Sequence, residues 1–381
     1  MPRETDQKAR AQDVVSRHAA SRGQPDPEVR LGTRGSTLAR RQTQHVAALL
    51  AAAWPQHRFV EHVFSTAGDR QLDQPLHAIG GKGLFTAELE QALRAGDIDC
   101  AVHSLKDLPV EQPEGLVIGA VPPRESWRDM LVYRLPAISD LSELPTGARV
   151  GTSSIRRAAQ LLLRRPDLRI VDLRGNVETR LRKLRDPSGP YDAIVMAEAA
   201  IDRLGLWESE HLAGLLTLAL PAEQMLPAPG QGALAVQCRA VSTARSLVAP
   251  IDDPGTAAEV TAERAFLAGL GGGCSAPVAA LGLVGVDGLL RLTGRVCATD
   301  GSRSVDVELA TTLPSLESPR GWSTPTGPDD VKAAARQQML AAAHPDMLAA
   351  AQRETLAAAE AAGKRLAADA LANGAAALVE A

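Results

Sequence analysis

The sequence predicts an α/β protein made of two similar α/β units and a smaller α+β unit toward the C-terminus. Three observations predict it. Apolar strand-like runs alternate with amphipathic helical patterns across residues 29–204, the pattern of parallel or mixed sheets. The series restarts after the breaker Pro122-Pro123-Arg124-Glu125, and residues 226–233 mark a second crossing. Beyond Cys274, Asp287-Gly288 and Asp300-Gly301 are hairpin signals that separate three short antiparallel strands.

Residues 1–27 read as a disordered tail ending at Pro25-Asp26-Pro27, without the apolar segment of a secretory signal. A strand at 29–32 passes through Thr33-Arg34-Gly35-Ser36 into a helix at 38–53. Such a junction presents free backbone N–H groups and a helix dipole to an anion. Arg34 and Ser36 complete that site, or Ser36 only caps the helix and Arg34 is solvated. A strand follows at 59–66. Gly80-Gly81-Lys82-Gly83-Leu84-Phe85 then opens a helix at 86–95, without the spacing of either phosphate-loop motif. Lys82 and Phe85 read as a lid or substrate-edge contact, or as an ordinary helix start. A buried strand at 99–105 ends in His103-Ser104-Leu105-Lys106-Asp107. Ligands of open α/β sheets bind beyond the carboxyl ends of strands. Asp107 is therefore placed to act as an acid or base or to stabilise a cation, unless it merely pairs with Lys106. His103 reads as packed or hydrogen-bonded, not as a metal ligand.

In the second unit a strand at 148–152 runs through Ser153-Ser154-Ile155-Arg156-Arg157 into a helix at 158–164. The strand at 169–173 leads through Arg174-Gly175-Asn176 into a helix carrying Arg180, and the strand at 191–197 precedes a helix with Arg203. Arginine or lysine thus recurs at four strand ends, and the guanidinium fork matches carboxylates. Repetition on separate units implies a cleft for a polyanion. A returning strand at 233–237 and a linker at 251–255 come next. The helix at 256–267 then runs into Gly271-Gly272-Gly273, which holds Cys274 in a permissive loop as nucleophile, attachment point or incidental thiol. Cys100, Cys238 and Cys297 sit in apolar strand settings and read as core. Residues 311–330 read as a disordered insertion. Residues 331–372 read as Ala-rich helix interrupted near His344-Pro345 and capped by Asn373-Gly374. The expected division is a tail at 1–27, a first domain of 28–122 with 222–246, a second of 123–221, and a third of 250–381.

Composition narrows the function. The 381 residues, 45% hydrophobic and 23% charged, suit a water-soluble protein of two or three domains. A net charge of −4 means that any anion site comes from local clustering. Aromatics at 3% leave no base-stacking platform, which argues against nucleic acid as partner. Four cysteines without CxxC spacing predict no disulfide framework, no zinc site and a reducing compartment. No run reaches the roughly 18 apolar residues of a membrane span, so the expectation is a cytoplasmic protein with no metal and no membrane partner.

Eight motifs in order, LGTRGS, GGKGLF, AVHSLKDLP, VGTSSIRR, LRGNVETRL, YDAIVMA, LPAPGQGA and the Gly-Gly-Cys274 loop, closely resemble the porphobilinogen deaminase (hydroxymethylbilane synthase) family. The resemblance covers residues 29–311 and the final helix. It implies two periplasmic-binding-protein-like α/β domains crossed twice by the chain and a third, cofactor-bearing α+β domain. It also implies a dipyrromethane cofactor in thioether linkage to Cys274. The implied reaction is a transferase's: four porphobilinogens are condensed head to tail with loss of ammonia, then hydroxymethylbilane is freed by hydrolysis. Asp107 matches the family's catalytic aspartate. Ser104, Lys106, Ser153, Arg156, Arg157 and Arg174 match positions toward the cofactor. Arg34, Ser36, Lys82, Phe85, Arg180, Arg203 and Gln231 match positions toward the substrate, and a monomer is expected. The tail, the insertion and Ala78, where many relatives carry a basic residue, depart from the pattern. A polycarboxylate-binding protein is the alternative. It would have no use for a cysteine-bearing third unit.

Overall fold

The computed structural model describes residues 28–66, 86–271, 276–314 and 345–379. The strands run in chain order β1 (Glu28–Arg34), β2 (Arg58–Phe64), β3 (Cys100–Ser104) and β4 (Leu116–Ala120), then β5 (Asp129–Tyr133), β6 (Arg149–Gly151), β7 (Arg169–Val171), β8 (Ala193–Ala197) and β9 (Leu216–Ala219). They close with β10 (Leu234–Arg239), β11 (Val278–Val284), β12 (Leu289–Cys297) and β13 (Ser304–Thr312). Helices α1 (Thr37–Ala53), α2 (Ala87–Ala95), α3 (Ile155–Arg164), α4 (Val177–Arg185) and α5 (Glu198–Leu204) belong to the two larger lobes. After them come α6 (Thr243–Val248), α7 (Pro254–Gly269), α8 (Pro345–Ala372) and α9 (Ala376–Val379).

The first sheet has the order β2-β1-β3-β10-β4 and the second β7-β6-β8-β5-β9. The layout is the same twice. In each, one strand is flanked by two parallel neighbours, β1 by β2 and β3, and β6 by β7 and β8. Each sheet also takes one antiparallel strand, β10 or β5, the first formed after the chain crosses between lobes. This is the two-lobed, doubly crossed architecture expected from the sequence. The third unit is an antiparallel sheet β11-β12-β13 packed against α7 and α8. A Cβ on Gly363 of α8 would lie 2.2 Å from the Ala262 carbonyl oxygen of α7, so only glycine permits this approach.

Local chemistry sets the helix starts. Ser36, Ser154, Asn176 and Asp253 each accept a backbone N–H from three residues on, which satisfies donors that a helix leaves unpaired. At the junction of the three units Arg124, on the first crossing, donates to Glu263 of α7 at 2.7 Å. Glu263 is fully buried and also accepts Gly230 N–H of the second crossing at 2.6 Å and Gly282 N–H of β11 at 2.8 Å.

Cys100, Cys238 and Cys297 are buried thiols, and burial pushes Cys297 up to about 11, so all three serve as core. Five elements, β4, β5, β9, α6 and α9, go beyond what the sequence predicted. They are four to six residues long, too short for periodicity to register. The expected insertion also starts too early: β13 pairs with β12 through Thr312, which gives residues 311 and 312 ladder partners. Leu313 is also placed, buried in the core of the third unit, whereas residues 315–330, the tail, Lys82, Phe85 and Cys274 lie outside the described residues.

Candidate functional site

Asp107 closes a short 3-10 turn, Leu105–Asp107, at the carboxyl end of β3. Leu105 is fully buried and its N–H binds the Ala233 carbonyl at 3.0 Å, so the turn is fixed at its start. Asp107 is exposed and forms no hydrogen bond or ion pair with any described residue. The alternative that it simply pairs with Lys106 is not what forms. Lys106 Nζ turns away to Gln231 Oε1 at 3.2 Å.

Behind the turn stands a carboxylate that the sequence reading did not single out. Asp129, at the head of β5, is fully buried. It receives Arg156 Nη1 at 2.7 Å, Arg157 Nη2 at 2.7 Å and Nε at 3.0 Å, and Gln231 Nε2 at 2.9 Å. Burial alone would raise its pKa, but the two guanidinium charges outweigh burial and hold the carboxyl well below the usual range. Gln231 also donates to the Trp127 carbonyl at 2.8 Å. One amide side chain therefore joins Lys106 of the first lobe, Asp129 of the second and both crossings. Arg156 commits only Nη1 among the described residues, to Asp129 and the Leu226 carbonyl. Its Nε and Nη2 make no hydrogen bond among the described residues.

Asp172, at the end of β7, was also missed. The single hydroxyl proton of Ser153 has two acceptors in reach, Asp172 Oδ1 at 2.5 Å and the Leu173 carbonyl at 2.7 Å, while its oxygen accepts Leu173 N–H at 3.0 Å, so the hydroxyl is engaged within the protein. Asp172 Oδ2 lies 3.8 Å from Arg174 Nε, and that nitrogen is buried without a hydrogen bond. Arg180 donates to the Gly175 carbonyl at 2.8 Å. Burial lowers Arg180 to about 10, with Arg157 and Arg174 pushing the same way against Asp107 and Asp172. Lys106 is half-buried by surface but walled in by protein. That burial, with Arg157, lowers it to about 8.

The structure thus gathers Lys106, Asp107, Arg156, Arg157, Arg174, Arg180 and Gln231 beyond the carboxyl ends of β3, β6 and β7. Five cations there face three carboxylates, Asp107, Asp129 and Asp172. The other predicted residues are placed differently. Ser104 exchanges hydrogen bonds with Gln42 at 2.9 Å and 3.2 Å. Ser36 caps α1, its hydroxyl accepting Ala39 N–H at 3.3 Å. Arg34, at the end of β1, lies close enough to His103 to help burial push that imidazole down to about 4. Arg203 sits at the hinge, donating to the Gly232 carbonyl at 2.6 Å, with Glu125 as its acidic neighbour. Its Nε is also buried and unpartnered.

Buried guanidinium nitrogens without acceptors and a local excess of cations are unfavourable unless an outside anion completes them. A ligand with several carboxylate arms fits that requirement, and a dipyrromethane bearing acetate and propionate groups is such a ligand. An ion cluster of His, Cys, Asp or Glu suited to a metal does not occur among the described residues.

Residues 29–246 match the family described as porphobilinogen deaminase, dipyromethane cofactor binding domain, and residues 257–319 match the porphobilinogen deaminase C-terminal domain. The chain is similar to the porphobilinogen deaminase of Syntrophobacter fumaroxidans, 47% identical over 277 residues, or 72% of this chain and 86% of that one. It is also similar to that of Roseiflexus castenholzii, 50% identical over 272 residues, 71% of this chain and 86% of that one. Among solved structures, the reduced OxyR regulatory domain is similar at a TM-score of 0.34 and 14% identity, over 59% of this chain and 96% of that one.

Proposed function

Because this chain belongs to the porphobilinogen deaminase family and so condenses four porphobilinogens head to tail on a dipyrromethane cofactor, releasing ammonia and then hydroxymethylbilane, we propose that the Asp107 cleft is where this transferase acts. One observation carries the reading: an exposed carboxylate without a described partner stands among buried and half-buried cations that together outnumber the nearby acids.

The residues divide the work by charge. Loss of ammonia from the aminomethyl group of porphobilinogen leaves a cation. Asp107 at ~4 Å stabilises that cation by about 4 kcal/mol at an effective dielectric near 20. Asp107 also donates a proton toward the departing amine and takes one back from the pyrrole carbon that forms the new bond. When bound, the cofactor supplies the pyrrole carbon from which the chain grows. Lys106, Arg156, Arg157 and Arg174 hold its carboxylates, and Ser104 and Ser153 steady that wall. Arg180 and Arg34 take the carboxylates of incoming substrate, with Arg203 at the hinge and Ser36 fixing the start of α1. Gln231 holds Lys106 and Asp129 in register. Lys82, Phe85 and Cys274 enter on the resemblance of their motifs, Cys274 as the point of thioether attachment. The proposal includes the domain division 28–122 with 222–246, 123–221 and 250–381, and a monomeric enzyme of the cytoplasm. No described helix is long and apolar enough to cross a membrane.

Intact mass spectrometry tests the attachment. The purified enzyme is expected to exceed its sequence mass by one dipyrromethane, and Cys274→Ala to lose that increment. Full activity in an unmodified wild type would overturn it. A second expectation concerns pH. The Lys106 ammonium, lowered to about 8, grips carboxylates while charged and releases them once neutral. Beside cofactor carboxylates its pKa rises again, so the alkaline limb of kcat/KM should bend above pH 8. Lys106→Arg, whose guanidinium stays charged, should move that bend upward. An unmoved alkaline limb in the arginine variant would exclude Lys106 as its source.

A further inference from the structure

Arg264 of α7 reaches out of the third unit into the turn that carries Asp107. It is 9% exposed. Its Nη1 donates to the carbonyls of Leu105 at 3.3 Å and Leu108 at 3.0 Å, and its Nη2 to those of Pro109 at 2.5 Å and Val110 at 3.2 Å. Four carbonyls within six residues converge on one planar cation, a geometry that five fixed N–H donors can satisfy and a lysine ammonium with three cannot. Leu105 and Leu108 also pack with Ala257 and Val260 of the same helix. The turn and α7 are therefore one packed unit. Asp107 has no hydrogen-bond or ion-pair partner of its own among the described residues, so within them its position is set through this backbone.

The same helix ends at Gly269, five residues before Cys274. We propose that Arg264 is a positioning residue for the condensation: it locks the Asp107 turn to the helix that leads to the cofactor-bearing loop, and so fixes the carboxylate relative to the growing chain. The proposal rests on Asp107 handling the reacting charge. In this role Arg264 works through the backbone of the Asp107 turn.

A double-mutant cycle on the holoenzyme tests it, with Arg264→Met, Asp107→Asn and the double variant compared by kcat and KM for porphobilinogen. Arg264→Met is expected to lower kcat at least thirtyfold with KM changed less than threefold, and the double variant to be no slower than Asp107→Asn alone. A residue with a merely structural role would give multiplicative losses. Multiplicative losses, or a kcat within threefold of wild type, would overturn the proposal. Should the methionine variant not fold, Arg264→Lys runs the same cycle with the same criteria. A near-wild-type Asp107→Asn would instead sink the underlying assignment of Asp107, so the two failures are distinguishable.

Discussion

Asparagine at position 107 is expected to lower kcat about a thousandfold while KM for porphobilinogen stays within a few-fold. The magnitude follows from the charge. An ionised carboxylate ~4 Å from a developing cation contributes about 4 kcal/mol at an effective dielectric near 20, and each 1.36 kcal/mol is tenfold in rate. Asparagine keeps the shape and removes the charge. Asp107 is exposed and has no described partner, so neither folding nor ground-state binding should suffer. Steady-state kinetics and a thermal melt decide the matter. A kcat within tenfold of wild type, or a loss carried by KM, would show that the charge at 107 does not stabilise the reacting cation.

Removing the Asp129 charge should damage the fold as well as the site. Asp129→Asn leaves two guanidinium groups, each 6% exposed, facing one another without their shared anion. Breaking a buried ion pair from one side typically costs about 3–5 kcal/mol. The pH dependence gives a second handle. The folded-state pKa of Asp129 is depressed below the unfolded value near 3.9, so its contribution is complete above that pH and is lost as pH falls through the folded value. Denaturant unfolding should therefore show a wild-type advantage that is constant from pH 7 to 5 and shrinks in stronger acid. A variant as stable as wild type at pH 7, or a gap that changes between pH 5 and 7, would refute Asp129 as the hub.

Much of this was legible in the residues. The alternation of strands and helices, the two crossings and the Asp-Gly hairpins gave the architecture because each is a local signal. Asp107 stood out because it follows a long buried strand, and Arg156, Arg157, Arg174 and Arg180 because basic residues recur at strand ends. What local pattern does not encode is the partner of a buried charge. Asp129 heads an apolar run, and only its meeting with a helix 27 residues on reveals it as a counter-ion. Consecutive arginines entering a helix were the available clue, since two buried cations side by side require an anion. Ser153 looked like a ligand contact because its motif matched. The fold engages its hydroxyl with Asp172 and Leu173. Arg264 gave no signal, because its acceptors are carbonyls 154 to 159 residues away.

Glu263 draws the first crossing, the second crossing and β11 to a single buried point. Segments pinned at a common knot cannot slide past one another without stranding a charge, so the permitted motion is a swing about it. Space for a lengthening tetrapyrrole then opens most at the outer lips of the cleft and least at the pivot. The chemistry can stay in one place while its product is paid out toward the rim.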